Sequence, residues 1–157
     1  MNRESAWYKK NSLRFAAGGL AIFVIFQVCD LIIHRVILWN QFSSISAVWR
    51  PDLISMMWIM YLGSFIFSFL MMYIFIKGFE DRGVMEGVRF GILFGTVTAG
   101  MSALYQYVLY PVPFSLALQW FGCELVKFAI AGIAAGAIYK PLPEDDRDED
   151  QEDMDIV

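Results

Sequence analysis

The chain has 157 residues, of which 58% are hydrophobic and 17% aromatic, and its formal net charge is −4. Ordinary soluble domains are about 45–50% apolar, and a chain this short leaves much of its surface facing water. The composition therefore excludes an ordinary soluble globular domain, and the length allows a single domain. The negative charge is concentrated in an acidic C-terminal run, Glu144 to Asp155, so the rest of the chain is basic.

The hydrophobic residues fall into four blocks, which we take in chain order as predicted helices: residues 13–39, 53–76, 84–110 and 114–139. Each block exceeds the about 20 residues that a helix needs to cross a bilayer. Backbone polar groups in lipid must be paired within the segment, which favours helix over any open form. The sequence thus predicts an all-α domain over residues 13–141. A cytoplasmic segment, residues 1–12, precedes it and a disordered acidic tail, residues 142–157, follows it.

The links between the blocks are short, which predicts an up-down four-helix bundle of antiparallel neighbours. Lys and Arg near helix ends indicate the orientation, because they accumulate on the cytoplasmic side. One side has Arg35 and Arg50; the other has Arg3, Lys9, Lys10, Arg14, Lys77, Arg82, Arg89 and Lys140. We therefore predict that both termini are cytoplasmic.

Small residues form a stripe on the third predicted helix, where Gly87, Gly91 and Gly95 recur every fourth position and Ser102 and Gln106 continue the same face. Such spacing lets another helix approach closely in lipid. The fourth predicted helix offers Ala129, Gly132 and Gly136. Tight packing between these two helices is the favoured interpretation, and a pathway lined by the stripe is the alternative.

Ionisable residues inside the membrane are costly and are candidates for function. The first helix carries Asp30 and His34 on one face, with Arg35 beside them, and the fourth carries Glu124 and Lys127 three residues apart. In a structural interpretation, Asp30 pairs with His34 or Arg35, and Glu124 pairs with Lys127. In a functional interpretation, the acids, His34 and Lys127 form one polar centre for a proton, a cation or an anionic headgroup.

Catalytic and cofactor motifs are not found in the sequence, so we expect neither an enzyme nor a cofactor. One histidine and scattered acids do not have the spacing of a metal site. The basic residues follow the membrane rule, which argues against nucleic acid as a partner. The partners that remain are the lipid bilayer, another membrane protein or further copies of the chain.

Four motifs of the chain are distinctive: Ile76–Gly91 continuing to Gly95, Pro111-Val112-Pro113, Leu116-Ala117 before Trp120-Phe121, and Ile138-Tyr139-Lys140-Pro141. Together they resemble motifs of small, uncharacterised bacterial four-helix membrane proteins, and the resemblance covers roughly residues 13–141. It implies a bacterial inner-membrane location and transfers no catalytic residue.

Three functions are compatible with these features. The small-residue faces favour an accessory or scaffold subunit that acts through helix contacts. The embedded acids Asp30 and Glu124 favour a small oligomeric transporter or channel-like protein. A lipid-binding protein, with Arg35 and Lys127 at a headgroup, is the third hypothesis.

Overall fold

The computed structural model describes residues 3–46, 50–80 and 82–139, with side chains from residue 11 onward. Its helices are α1 (Arg3–Ile32), α2 (Trp39–Ser44), α3 (Leu53–Lys77), α4 (Val84–Leu109) and α5 (Phe114–Ile138). A π-helical segment, Ile33–Ile37, continues α1. The predicted disordered tail, residues 142–157, lies outside the described residues.

Four segments are long and apolar enough to cross a membrane: Asn11–Ile37, Leu53–Lys77, Val84–Leu109 and Phe114–Ile138. The predicted fold class, an all-α four-helix bundle, is confirmed. The chain has the architecture of a multi-pass membrane protein. The ends of the last three spans differ from the predicted ends by at most one residue, which is ordinary variation at helix termini.

The first helix departs from the prediction at both ends. The helical backbone begins at Arg3 rather than near residue 13. The hydrophobic pattern locates only the part of a helix that crosses the membrane, and this helix continues beyond that part into the preceding polar residues. At the other end the helix widens, and the Leu38 N–H donates to the carbonyl of Ile33, five residues back. The segment predicted as a loop after Trp39 then begins with α2.

Side-chain contacts establish the antiparallel order of the bundle. Phe23 meets Phe65 and Phe15 meets Phe69 between α1 and α3, while Phe75 meets Phe90 between α3 and α4. We call the end of the bundle that contains the turn from α3 to α4 the Gly83 end. The opposite end, which contains α2 and the turn from α4 to α5, is called the Pro111 end.

The closest helix contact joins α4 to α5 through backbone atoms. A methyl group added to Gly87 or Gly132 would collide with the carbonyl oxygen of the other residue, and one added to Gly91 would collide with the carbonyl oxygen of Phe128. A methyl group added to Gly136 would lie only 3.1 Å from Val84 Cα and 3.3 Å from Gly87 Cα, closer than an ordinary van der Waals contact. These glycines of α4 and α5 thus face each other's helix and are not available to an external helix.

Helix α3 is buried along only half of its length. Its buried residues, Ser68, Met71, Met72 and Phe75, all lie toward the Gly83 end, and the half from Leu53 to Phe67 has none. The ring contacts between α3 and α4 that the structure records, Phe67 with Phe94 and Phe75 with Phe90, also lie away from the Pro111 end. The bundle is therefore open between α3 and α4 at its Pro111 end.

We expect Gly91→Ala to lower the unfolding free energy in mild detergent by about 1–3 kcal/mol, because the added methyl group overpacks against the rigid backbone of α5. Gly100→Ala is the matched control in the same helix. Its new methyl group would find Phe121 at an ordinary 3.7 Å, and alanine favours helix by up to about 1 kcal/mol over glycine. Equal stability of the two variants, measured by denaturant titration, would contradict the proposed contact.

Candidate functional site

The candidate site is centred on the ammonium group of Lys127, which binds two carboxylates from different helices. Its Nζ donates to Asp30 Oδ1 on α1 at 2.7 Å and to Glu124 Oε1 on α5 at 2.8 Å, with Glu124 Oε2 at 2.7 Å. The Lys127 side chain is 9% exposed, whereas those of Asp30 and Glu124 are 36% and 23% exposed. Two carboxylates thus surround one buried cation.

This geometry corrects the predicted pairing of Asp30. The carboxylate bonds to Lys127 on the facing helix rather than to His34 or Arg35 within a turn of its own helix. His34 instead donates from Nδ1 to the backbone carbonyl of Asp30 at 2.8 Å. The Arg35 guanidinium is exposed and lies 5.5 Å from the centroid of the Trp39 ring. The predicted pair of Glu124 with Lys127 is present.

Aromatic rings complete the surroundings of the Lys127 ammonium. Its Nζ lies 5.2 Å from the centroid of Phe26 and 5.9 Å from that of Phe128. A cation over a ring face is attracted by the ring quadrupole, more strongly where water is excluded. The ammonium is therefore stabilised on its apolar side by rings and on its polar side by carboxylates.

The close contact between α4 and α5 explains why Lys127 points toward α1. Phe128 lies at the α4 contact, where its backbone touches Gly91. Successive residues of a helix are turned by about 100°, so the neighbouring Lys127 faces a different helix, which is α1. The glycine stripe and the charged site therefore depend on the same rotation of α5.

A cavity of about 210 Å³ adjoins the three charged groups, on the Pro111 side of the bundle. It is lined by Asp30, His34, Met60, Ala99, Ser102, Ala103, Gln106, Trp120, Phe121, Glu124 and Lys127. This volume is sufficient for several water molecules or for a small organic group. Of the lining residues, Met60 of α3 is 65% exposed, and Ser102 of α4 is also exposed. The cavity therefore opens where α3 and α4 diverge.

The polar lining offers hydrogen-bond acceptors that the described residues do not use. Within the described part of the chain, Oδ2 of Asp30 and Nε2 of His34 have no hydrogen-bond partner. When His34 is neutral, its donation from Nδ1 leaves Nε2 unprotonated and able to accept. Gln106 donates from Nε2 to Ser102 Oγ at 3.1 Å and leaves its own carbonyl oxygen as a further acceptor.

The structure brings four of the five predicted polar candidates, Asp30, His34, Glu124 and Lys127, to one cavity and leaves Arg35 outside the lining. Sequence reasoning did not assign Met60 or Trp120 to the site, because a thioether and an indole in an apolar helix resemble ordinary packing residues. Ser102 and Gln106 were visible as the polar continuation of the glycine stripe. The stripe divides here: its glycines pack against α5, and these two residues line the cavity.

An apolar wall beside the site joins the end of the first span, α2 and α5 at the Pro111 end. It is formed by Ile33, Leu38, Val112, Leu116 and Trp120, and the two cysteines, Cys29 and Cys123, pack against it as free thiols. Phe42 of α2 packs between two rings of the site: its ring centroid lies 4.8 Å from that of His34 and 4.9 Å from that of Trp120. Among the side chains that the structure describes, no three His, Cys, Asp or Glu residues group closely enough to hold a metal ion.

Comparison of the chain with protein-family models, with curated proteins and with solved structures finds no match. The function must therefore be inferred from the geometry of the site itself.

We expect Lys127→Met to be strongly destabilising, because it leaves two carboxylates without their shared cation. Removing one partner of a buried ion pair costs about 3–5 kcal/mol. Lys77→Met, the same replacement at an exposed position at the end of α3, is the control and should change stability little. Denaturant titration in detergent measures both variants.

The triple variant Asp30→Asn, Glu124→Gln, Lys127→Met removes all three charges and should recover part of the loss. A Lys127→Met protein as stable as its parent would mean that the three groups are not ionised together.

Proposed function

We propose that the protein is a bacterial inner-membrane protein that binds a small polar ligand inside the membrane, as a carrier or a lipid-binding protein does. One observation supports this most directly: Asp30, Glu124 and Lys127 meet at an open cavity rather than in a closed pair. Ionised groups within a membrane-spanning region typically mark a ligand or ion pathway. The site residues are Asp30, His34, Glu124 and Lys127, with Ser102 and Gln106 on the opposite wall.

The charge presented to the cavity favours a ligand that is not anionic. With its three groups ionised, the site has a net charge of −1, and its cation is the least exposed of the three. An anion entering the cavity would meet carboxylates before the ammonium. This argues against the hypothesis in which Lys127 and Arg35 hold an anionic headgroup, and Arg35 does not line the cavity.

An accessory or scaffold role is the second candidate. The half of α3 from Leu53 to Phe67, which has no buried residue, leaves an apolar surface that a partner helix or lipid can cover. The role has less support than ligand binding, because the glycine faces that favoured it are occupied by the contact between α4 and α5.

The orientation proposed is with both termini in the cytoplasm, on the basis of the basic residues near the Gly83 end. A green fluorescent protein fused to the C-terminus should then be fluorescent in cells, and an alkaline phosphatase fused there should be inactive. The opposite pair of results would place the Pro111 end in the cytoplasm and overturn the orientation.

Ligand binding requires that the cavity be accessible to water-soluble groups, and thiol labelling measures this. In a background with Cys29→Ser and Cys123→Ser, Ser102→Cys places a thiol on the cavity wall. Leu104→Cys, two residues along α4 and 59% exposed, places one at similar depth but outside the lining.

We expect a cationic methanethiosulfonate reagent to modify Ser102→Cys at least about tenfold faster than Leu104→Cys, because a cavity with one sign of charge concentrates counter-ions. An anionic reagent of the same size should show a smaller difference. Equal rates at the two positions with both reagents would mean that the cavity is inaccessible to water, and the proposed function would be rejected.

A further inference from the structure

We infer that the ligand presents a primary ammonium group, which enters between α3 and α4 and binds between Asp30 and His34. The inference rests on the proposed function and assigns the chemistry of its ligand. Two kinds of ligand carry a primary ammonium group of this kind: the headgroup of phosphatidylethanolamine and a free alkylamine.

The first argument is the position of the unused acceptors. Lys127 occupies Oδ1 of Asp30 and both oxygens of Glu124. Of the four carboxylate oxygens of the site, Oδ2 of Asp30 is then the one without a partner among the described residues. When His34 is neutral, its Nε2 is a second acceptor, in the π-helical segment one turn beyond Asp30. A group that satisfies both must donate at least two hydrogen bonds, and an ammonium has three N–H donors.

The second argument is charge. A cation at Oδ2 of Asp30 would complete a set of two carboxylates and two ammonium groups, and the local charge would be zero. Neutral sets are favoured inside a membrane, because uncompensated charge there is expensive. Lys127 is buried behind the two acids, so repulsion between it and the ligand is reduced by the carboxylates between them.

The third argument is access from the lipid. Gln106 lies three residues before the end of α4 at Leu109, about 5 Å along the helix axis. Lys127 lies thirteen residues from the start of α5 at Phe114, about 20 Å along its axis. The cavity therefore extends from near the membrane surface toward its middle. Its opening at Met60 and Ser102 faces the region between α3 and α4, where a lipid headgroup can enter sideways.

The primary ammonium is preferred over a quaternary one for a specific reason. A trimethylated headgroup carries the same charge but has no N–H to give to Asp30 or His34, and its three methyl groups need more space. The contact with Trp120 and Phe121 in the lining would suit either group. The unused acceptors therefore distinguish the two ligands.

The lipid arm of the experiment uses the full-length protein in nanodiscs containing equal parts of phosphatidylethanolamine, phosphatidylcholine and phosphatidylglycerol. Native mass spectrometry then measures which lipid is retained. We expect phosphatidylethanolamine to be retained in preference to both others, and Asp30→Asn to reduce that preference about tenfold, the effect of losing a charged hydrogen bond. Asp52→Asn, which alters an exposed acid outside the spans, is the control and should retain the preference.

The second arm needs no variant and tests the free amine. The parent protein, in nanodiscs that lack phosphatidylethanolamine, is titrated with ethylammonium chloride or tetramethylammonium chloride while its thermal stability is followed. A ligand that binds the folded state raises the midpoint temperature of thermal unfolding. Ethylammonium should therefore raise this temperature, and tetramethylammonium should not. A response to ethylammonium without lipid retention indicates a free amine, and lipid retention without that response indicates the lipid.

Two results would overturn the inference. One is retention of phosphatidylcholine or phosphatidylglycerol equal to that of phosphatidylethanolamine together with no response to ethylammonium. The other is a response to tetramethylammonium as large as that to ethylammonium. If Ser102→Cys is nevertheless labelled selectively, the polar site remains and only the ammonium assignment fails.

Discussion

The close approach of α4 and α5 is the constraint on which the rest of the structure depends. Helices in lipid gain little from the hydrophobic effect, because lipid tails are as apolar as leucine, so their association requires close packing and hydrogen bonds. Gly87 and Gly132 meet backbone to backbone, and Gly91 meets the carbonyl of Phe128. This contact fixes the rotation of α5, and every other contact of α5, including that of Lys127 with α1, follows from it.

With α5 fixed, the bundle divides into two halves of different character. Toward the Gly83 end, phenylalanine rings fill the space between the helices, as in the contact of Phe15 with Phe69 and that of Phe75 with Phe90. Toward the Pro111 end, α3 diverges and polar groups line a cavity. The packed half can supply most of the stability. The open half is then able to hold ionised groups and a ligand.

The sequence predicted the fold well and the site only in part, for identifiable reasons. Hydrophobic length locates membrane spans, because the bilayer imposes one thickness on every helix, and a four-residue glycine repeat indicates a packing face. The partner of Asp30 was predicted wrongly because spacing along one helix reveals only neighbours within that helix. Lys127 lies on another helix, and its direction depends on the rotation of α5. The cavity depends on the divergence of α3 from α4, and the predominantly apolar sequence of α3 contains no signal for that divergence.

The charged site also contains one more charge than stability requires. Glu124 and Lys127, three residues apart, already neutralise each other within α5, and such a pair could face the interior of the bundle without a charged partner on α1. Asp30 adds a second carboxylate, and with it a net negative charge beside an open cavity. A buried ionic group seldom stabilises a fold more than a well-packed apolar residue would, and proteins depart from locally favourable choices chiefly at functional sites. An aspartate that is not needed to neutralise Lys127, and that has one oxygen without a partner among the described residues, therefore argues for a ligand that completes the set.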